Sequence, residues 1–311
     1  MDLIIALSIT TLIAATLVVV VAWLLRPRPS EPKRNEPSLN DTQLNDTQLN
    51  DTRHENASNT PSLVLAAAVL VSFVLLYATK DRMGWATLLP FSSAIIFSNW
   101  TAFALAVASG AAFRLPHRPL WRRVLSASLM AALALATLFQ PVLQPVFRPV
   151  SGSNLWDSEQ VCIQSHTNTC SAAAAATLLK SVGIEMTEAA MVDHCLTDAR
   201  GTPSLGLWRG LSLATMSTRY RPEVLHTDIE SLLAKGPWPA ALVVGLPRYG
   251  ADPIYVDRYG WDPGFRHSIV LFGRKDDGLL DVGDPSIGRE TWSDEDLRVL
   301  WRGEGVTLVR R

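Results

Sequence analysis

The second half of the chain contains three residue types that nucleophilic thiol chemistry requires, in the order Cys170, His267 and Asp284. A thiolate that attacks a carbonyl group needs an imidazole to take and return a proton. The imidazole in turn needs a carboxylate or an amide to orient it. These residues could therefore perform acyl transfer through a thioester, provided that the fold brings them together.

The candidate nucleophile stands at the start of a predicted helix. Cys170 is followed by an alanine-rich run that continues to Leu179, and Gly183 is expected to end the helix. Unbonded N–H groups and the macrodipole stabilise an anion at a helix N-terminus, so a thiol there ionises readily. Apolar positions at helical spacing predict one buried face: Ala172, Ala175, Ala176, Leu179 and Val182. An ordinary buried cysteine is the alternative interpretation.

The candidate base and its orienting group lie on two predicted strands. His267 begins a β-branched strand that runs to Phe272, and Asp284 follows the next strand, Leu279 to Val282. In an antiparallel hairpin these positions meet at one edge of the sheet, so we expect the two side chains to be neighbours. Taken singly, His267 could be a satisfied strand histidine and Asp284 a turn residue before Pro285.

The remaining patterns of the second half place helices first and strands afterwards, which predicts an α+β domain with helices packed on an antiparallel sheet. Further helices are predicted over Thr187–Leu196, Ser204–Ser217, Ile229–Ala234 and Ser293–Trp301, and further strands over Ala240–Leu246 and Gly305–Val309. Residues 247–264, rich in Gly, Pro, Tyr and Asp, are expected to form a loop.

The first half is organised differently, because it contains four apolar runs of membrane-spanning length. These are Leu3–Leu25, Ser62–Thr79, Trp85–Phe113 and Leu120–Gln140, with Pro141, Pro145 and Pro149 expected to break the last helix. The first run lacks a basic n-region and is long for a signal peptide, so a retained transmembrane helix is expected. Residues 26–61 are polar, contain prolines and include a tandem repeat from Leu39 to Gln48, which predicts a disordered linker.

Arginine and lysine positions predict the orientation of these helices. The segment after the first run and the loop after the third are both rich in Lys and Arg, which places both in the cytoplasm. With four spans, the domain from about Ser151 onward would then face the periplasm or the cell exterior. The net charge of −1 gives no indication of nucleic-acid binding.

Short motifs in a fixed order between Gln160 and Val309 resemble the double-glycine leader peptidase domain of bacteriocin-processing ABC transporters, a papain-like family. The motifs are Gln164 ahead of Cys170, a helix of small residues, Gly201-Thr202, His267-Ser268-Ile269-Val270-Leu271, Asp284-Pro285-Ser286-Ile287-Gly288, a helix after Ser293, and Trp301-Arg302-Gly303.

The resemblance implies a role for each motif residue. Cys170 would be the nucleophile, His267 the general base and acid, and Asp284 the group that orients His267. Gln164 would donate to the oxyanion beside the Cys170 backbone N–H, and such a donor can contribute about 3 kcal/mol to transition-state stabilisation. This sequence departs from the family at Ser171, where glycine is usual, and it contains no Walker-type loop of a nucleotide-binding domain.

The chain contains three cysteines, and two of them have no part in this mechanism. In an oxidising compartment Cys162 and Cys195 could form a disulfide, or both could be free buried thiols. A zinc site built from the cysteines together with His166 and His194 is a rival interpretation, although the spacing fits no common zinc pattern.

The sequence thus predicts a membrane-anchored, multi-pass cysteine peptidase, a thiol protease of the inner membrane that needs no cofactor or metal. The expected organisation is transmembrane helix 1 over 1–25, the linker over 26–61, transmembrane helices 2–4 over 62–149, and an extracytoplasmic papain-like domain over 150–311. Its expected partners are a peptide or protein substrate, the lipid bilayer and an ABC exporter or other membrane partner. Two alternatives stay open: a catalytically silent peptide-binding domain of an export or sensing system, and an amidase or transglutaminase-like transfer at the same site.

Overall fold

The structure is a computed structural model that describes residues 2–26, 43–79 and 81–311, without side chains for 43–58. The chain divides into two compact units. The first comprises Met1–Lys80 with Ile96–Gln140, and the second comprises Asp81–Ile95 with Pro141–Arg311.

The first unit is helical and apolar. Its helices are α1 (Asp2–Leu24), α2 (Gln43–Ala78), α5 (Trp100–Phe113) and most of α6 (Leu120–Phe147). The short helix α3 (Trp85–Leu88) belongs to the second unit, and α4 (Ala94–Phe97) spans the boundary at Ile96. Among the described residues, four stretches are long and apolar enough to cross a membrane: Asp2–Leu24, Asn59–Ala78, Ala94–Phe113 and Leu120–Phe147. Small residues allow close packing of α5, since a Cβ at Gly110 would lie 2.7 Å from the Val18 carbonyl oxygen of α1.

Two expected boundaries of the apolar runs are wrong. The third run is not one helix from Trp85, because the chain breaks around Pro90 and resumes at Ala94. The fourth helix does not stop at Gln140 but continues through Pro141 and Pro145 to Phe147. Pro141 cannot donate to the carbonyl of Thr137, and the Asn99 side chain donates to that carbonyl instead, at 2.5 Å. This substitute hydrogen bond satisfies the group that proline leaves free in the helix.

The predicted linker also differs from the structure where it can be compared. Residues 27–42, which include the first half of the repeat, lie outside the described residues. From Gln43 onward the chain is helical as part of α2. Pro61 lies inside this helix, and no further proline or glycine interrupts the sequence between it and Pro37.

From Pro149 onward the second unit combines five α-helices with one sheet. The helices are α7 (Cys170–Ser181), α8 (Glu188–His194), α9 (Ser204–Thr215), α10 (Ile229–Lys235) and α11 (Asp294–Leu300). The strands are β1 (Tyr220–Val224), β2 (Ala240–Gly245), β3 (Arg266–Arg274), β4 (Leu280–Asp284), β5 (Gly288–Trp292) and β6 (Trp301–Arg310). They form one six-stranded antiparallel sheet in the order β1-β6-β2-β3-β4-β5. The predicted α+β arrangement of helices on an antiparallel sheet is therefore confirmed.

The alanine-rich helix α7 is buried more completely than expected. All of Ala172–Ala176 are inaccessible to solvent, as are Leu178 and Leu179. The helix packs on β3 and β2 with one side and on α8 and α9 with the other. Small side chains permit this close approach on both sides, so the N-terminus of α7 is held rigidly beside the sheet.

Candidate active site

The fold brings the thiol, imidazole and carboxylate together at one edge of the sheet. Cys170 is the first residue of α7, which packs on β3, and His267 is the second residue of β3. Pairing of Val270 with Gly283 in the β3–β4 hairpin places Asp284 across from Ile269, two residues from His267 on the same face. The hairpin register thus sets the distance between base and carboxylate.

The hydrogen bonds of the three side chains form one chain. Nε2 of His267 lies 2.7 Å from Oδ1 of Asp284, and the thiol of Cys170 is hydrogen-bonded to the His267 side chain. Because Nε2 is engaged by the carboxylate, Nδ1 is the nitrogen available to the thiol. Asp284 is itself fixed, since its Oδ1 also accepts the backbone N–H of Ser286 at 2.7 Å.

Burial and hydrogen bonding shift the pKa of the Cys170 thiol in opposite directions, and the same holds for the pKa of the His267 imidazole. Burial raises the pKa of Cys170, but the hydrogen bond and positive charge of His267, with bonds from Ser268 N–H and Ser171, outweigh it and leave the pKa lowered. Burial lowers the pKa of His267, but its bonds to Asp284 and Cys170 raise it overall to about 10. Both shifts favour a thiolate–imidazolium pair, which is the reactive state of a nucleophilic cysteine.

The other two cysteines have the opposite environment. Cys162 and Cys195 are free and fully buried. Burial raises the pKa of each to about 12, and the charge of Glu188 adds to the effect at Cys162. Of the two alternatives for these residues, the structure contains free buried thiols. Within the described part of the chain, no three His, Cys, Asp or Glu side chains form a group that could hold a metal ion.

Gln164 lies in the segment next to the Asp284 turn. Its backbone N–H donates to the carbonyl of Pro285 at 2.8 Å. Its side-chain Oε1 is buried and has no hydrogen-bond partner among the described residues. An oxyanion would need the Nε2 donor of this amide and not its Oε1 acceptor. Its part in an oxyanion hole stays a prediction.

Three contributors to the site were missed in the sequence. Trp261, from the loop before β3, packs edge-on against the His267 ring with centroids 5.7 Å apart. Nothing in its spacing pointed to this contact, because the loop folds through a π-helical turn at Ile254–Arg258. Ser286 could have been found, since an aspartate before a proline commonly accepts the N–H two residues on. Glu188 was identified only as the start of a helix.

Comparisons with known proteins give likenesses in structure alone. No family model matches the chain, and no curated protein matches it in sequence. The chain is similar to the peptidase domain of Streptococcus ComA, a bifunctional ABC transporter involved in a quorum-sensing pathway, with 19% identity and a TM-score of 0.38 over 49% of this chain and 98% of that one.

Two further solved structures are similar to the same degree. One is a double-glycine-motif protease from an AMS/PCAT transporter in complex with the leader peptide, with 17% identity and a TM-score of 0.38 over 49% of this chain and 91% of that one. The other is the peptidase domain of Streptococcus mutans ComA, with 17% identity and a TM-score of 0.33 over 48% and 98%. At this level of similarity, what the present chain binds or cleaves has to be inferred from its own side chains.

Proposed function

We propose that this protein is a membrane-anchored cysteine peptidase that hydrolyses peptide bonds through Cys170, His267 and Asp284. The observation that carries the proposal is the continuous hydrogen-bonded chain from the Cys170 thiol through His267 to Asp284, at the start of a buried helix. A peptide-binding domain without activity would not need a thiol whose pKa is lowered beside an imidazole whose pKa is raised.

The proposed reaction proceeds in two stages. The Cys170 thiolate attacks the peptide carbonyl carbon, and the resulting oxyanion is stabilised by the Cys170 backbone N–H and the Gln164 amide. The His267 imidazolium gives its proton to the leaving nitrogen, so the C–N bond breaks and a thioester remains. His267 then takes a proton from water, and the hydroxide attacks the thioester carbonyl carbon. The C–S bond breaks, which restores the Cys170 thiolate and releases the carboxylic acid.

Asp284 has a positioning and electrostatic part in this scheme. Its short bond to Nε2 holds the ring so that Nδ1 faces the thiol, and its charge stabilises the imidazolium. Trp261 covers the edge of the same ring and supports that orientation. The arrangement needs no cofactor, because proton transfer and nucleophilic attack are both supplied by side chains.

The proposal also places the protein in the inner membrane, which it would cross several times, with residues 150–311 on the periplasmic side. The four apolar helical stretches support anchoring, and the distribution of Lys and Arg supports the sidedness. The substrate at that surface would be a peptide or protein that carries a leader or propeptide. An ABC exporter or another membrane protein would deliver this substrate.

The test uses the full-length chain in detergent with a peptide library. Wild-type protein should cleave some members and form a thioester adduct on Cys170, detected by mass spectrometry, whereas Cys170→Ala should bind peptides without cleaving them. Binding by both proteins with no cleavage by the wild type would overturn the proposal and favour the silent peptide-binding domain. Transfer of the acyl group to an added amine in place of water would favour the transferase alternative.

A further inference from the structure

A buried carboxylate lies beside the loop that leads to the nucleophile. Glu188 is the first residue of α8 and is completely inaccessible to solvent. It accepts the backbone N–H of Ser153 at 2.7 Å and that of Ser165 at 2.8 Å, together with both serine hydroxyls. The Thr169 side chain lies beside it, and the Thr169 hydroxyl donates to the His166 carbonyl at 2.9 Å. A buried carboxylate with this many donors is a strong local anchor.

The residues beside Glu188 occupy both ends of one short loop. Ser165 directly follows Gln164, and Thr169 directly precedes Cys170 as the N-cap residue of α7. The loop between them connects the two groups assigned to the oxyanion hole, the Gln164 amide and the Cys170 backbone N–H. Glu188 therefore bonds to the start of this loop and lies beside its end.

Ser153, another partner of Glu188, shows how closely the chain packs around this carboxylate. Ser153 belongs to the chain that enters the second unit, and its neighbour Gly152 lies against the start of α8. A Cβ at Gly152 would lie only 2.6 Å from the backbone nitrogen of Ala189. Glycine at this position lets the entering chain approach the carboxylate, so two separate segments, this chain and the 165–169 loop, converge on one side chain.

The charge state of Glu188 agrees with this arrangement. Burial raises its pKa, but the bonds from Ser153 and Ser165, with the Thr169 side chain nearby, outweigh burial and leave the pKa lowered. The side chain is thus an acceptor-only carboxylate at neutral pH, matched to the donors that surround it. Replacing one of its oxygens with an NH₂ group would place a hydrogen-bond donor opposite the N–H and hydroxyl donors of the loop.

We propose that Glu188 is a positioning residue for the oxyanion hole, one that holds residues 165–169 so that the Gln164 amide and the Cys170 N–H converge on the reacting carbonyl. The inference rests on the proposed thiol chemistry and adds a residue that does not touch the substrate. Oxyanion donors lose most of their contribution to transition-state stabilisation when they are displaced by about 1 Å. A loop without regular structure needs an anchor to meet that tolerance.

Two reactions of the same thiolate separate this role from a general structural one. Alkylation by iodoacetamide needs the Cys170 thiolate and no oxyanion hole. Acylation by p-nitrophenyl acetate transfers the acetyl group to Sγ, releases p-nitrophenolate and passes through an oxyanion. In the full-length protein, Glu188→Gln should slow acylation by about tenfold or more and leave alkylation within about twofold of wild type.

The chain offers a matched control and a milder variant. Glu185→Gln neutralises an exposed glutamate on the same segment, one that pairs with Lys180, and should change neither reaction. Ser165→Ala removes a single hydroxyl donor, so it should slow acylation less than Glu188→Gln and again spare alkylation. This second variant keeps the proposal testable if Glu188→Gln does not fold.

A double variant tests the route through the amide. Because Glu188 is proposed to place the Gln164 amide as well as the Cys170 N–H, the variant carrying Gln164→Ala and Glu188→Gln should be slowed in acylation by less than the product of the two single effects. Equal slowing of acylation and alkylation, or fully additive effects, would overturn the proposal. Wild-type protein that is alkylated but never acylated would overturn the proposed function as well, whereas normal acylation of Glu188→Gln would overturn only the role of Glu188.

Discussion

Replacement of Ser171 by alanine tests the electrostatics of the nucleophile most directly. Ser171 follows Cys170 in the first turn of α7, and its hydroxyl oxygen lies 2.8 Å from the hydroxyl oxygen of the buried Ser268 on β3. Its side chain also bonds to the Cys170 thiol. Because alanine is the better helix former, Ser171→Ala should leave α7 intact and remove only the hydroxyl.

The expected size of the effect follows from that hydrogen bond. A bond to a charged group contributes about 1.5 to 3 kcal/mol, and the lower value applies because His267 and the Ser268 N–H remain as partners of the thiolate. A loss of about 1.4 kcal/mol corresponds to a tenfold change in an ionisation constant. At a pH well below the pKa of the thiol, alkylation of Cys170 should therefore be about tenfold slower than in wild type.

The assay is the rate of iodoacetamide labelling of the Cys170 peptide, followed by mass spectrometry across a pH series on the full-length protein. The profile of Ser171→Ala should move to higher pH and reach the wild-type rate once the thiol is fully ionised. Ser181→Ala is the control, because that hydroxyl bonds only within the last turn of the same helix, to the Leu178 carbonyl. An unmoved profile, or equal slowing at every pH, would refute the reasoning.

Four further predictions address the remaining parts of the mechanism and the topology. Gln164→Ala should lower peptide turnover by about 100-fold or more with little change in KM, and a loss of peptide affinity instead would make it a recognition residue. Near neutral pH, iodoacetamide should label Cys170 well before the other two cysteines, and uniform slow labelling would count against a low-pKa thiolate. Peptide cleavage should slow at alkaline pH as His267, whose pKa is about 10, loses the proton that the leaving amine needs. Asp284→Asn removes the charge that raises this pKa, so the alkaline fall in activity should move to lower pH. An unmoved alkaline fall would exclude the electrostatic role of Asp284. A periplasm-active reporter should work at the C-terminus and fail in the linker after the first span, whereas the reverse pattern would invert the proposed orientation.

The parts of the site that could be predicted are those fixed by local sequence. The alanine run after Cys170 specified a helix that begins at the thiol, and the β-branched run after His267 specified a strand. The short hairpin between β3 and β4 then left only one edge at which His267 and Asp284 could meet. Helix propensity, strand pattern and hairpin connection are all short-range properties, so reading them required no tertiary information.

The two strands missed in the sequence are edge strands. β1 contains Pro222, which cannot donate to a ladder, and β5 (Gly288–Trp292) contains two charged residues among its five. Such residues are typical of strands paired on one side only, where they protect the exposed edge, and they hide the alternation that identifies inner strands. The sheet was therefore predicted in its middle and not at its borders.

Contacts across long separations could not be predicted at all. Ser171 meets Ser268 97 positions away in the sequence, and Ser165 meets Glu188 23 positions away. Serine and glutamate have no strong positional pattern, and their partners are chosen by the packing of α7 against the sheet and against α8. These supporting contacts, like the meeting of Cys170 with His267, thus depend on tertiary structure.

The three cysteines show whether local sequence or tertiary packing decides the reactivity of a thiol in this protein. All three are buried, and burial alone raises the pKa of each thiol, as it does for Cys162 and Cys195. A position at a helix N-terminus favours Cys170, but its lowered pKa comes chiefly from the hydrogen bond and charge of His267, which Asp284 supports in turn. The negative charge of Glu188 acts the other way at Cys162. One chain thus raises the pKa of two thiols and lowers that of the third, and the difference lies in which charged side chain lies beside each sulfur.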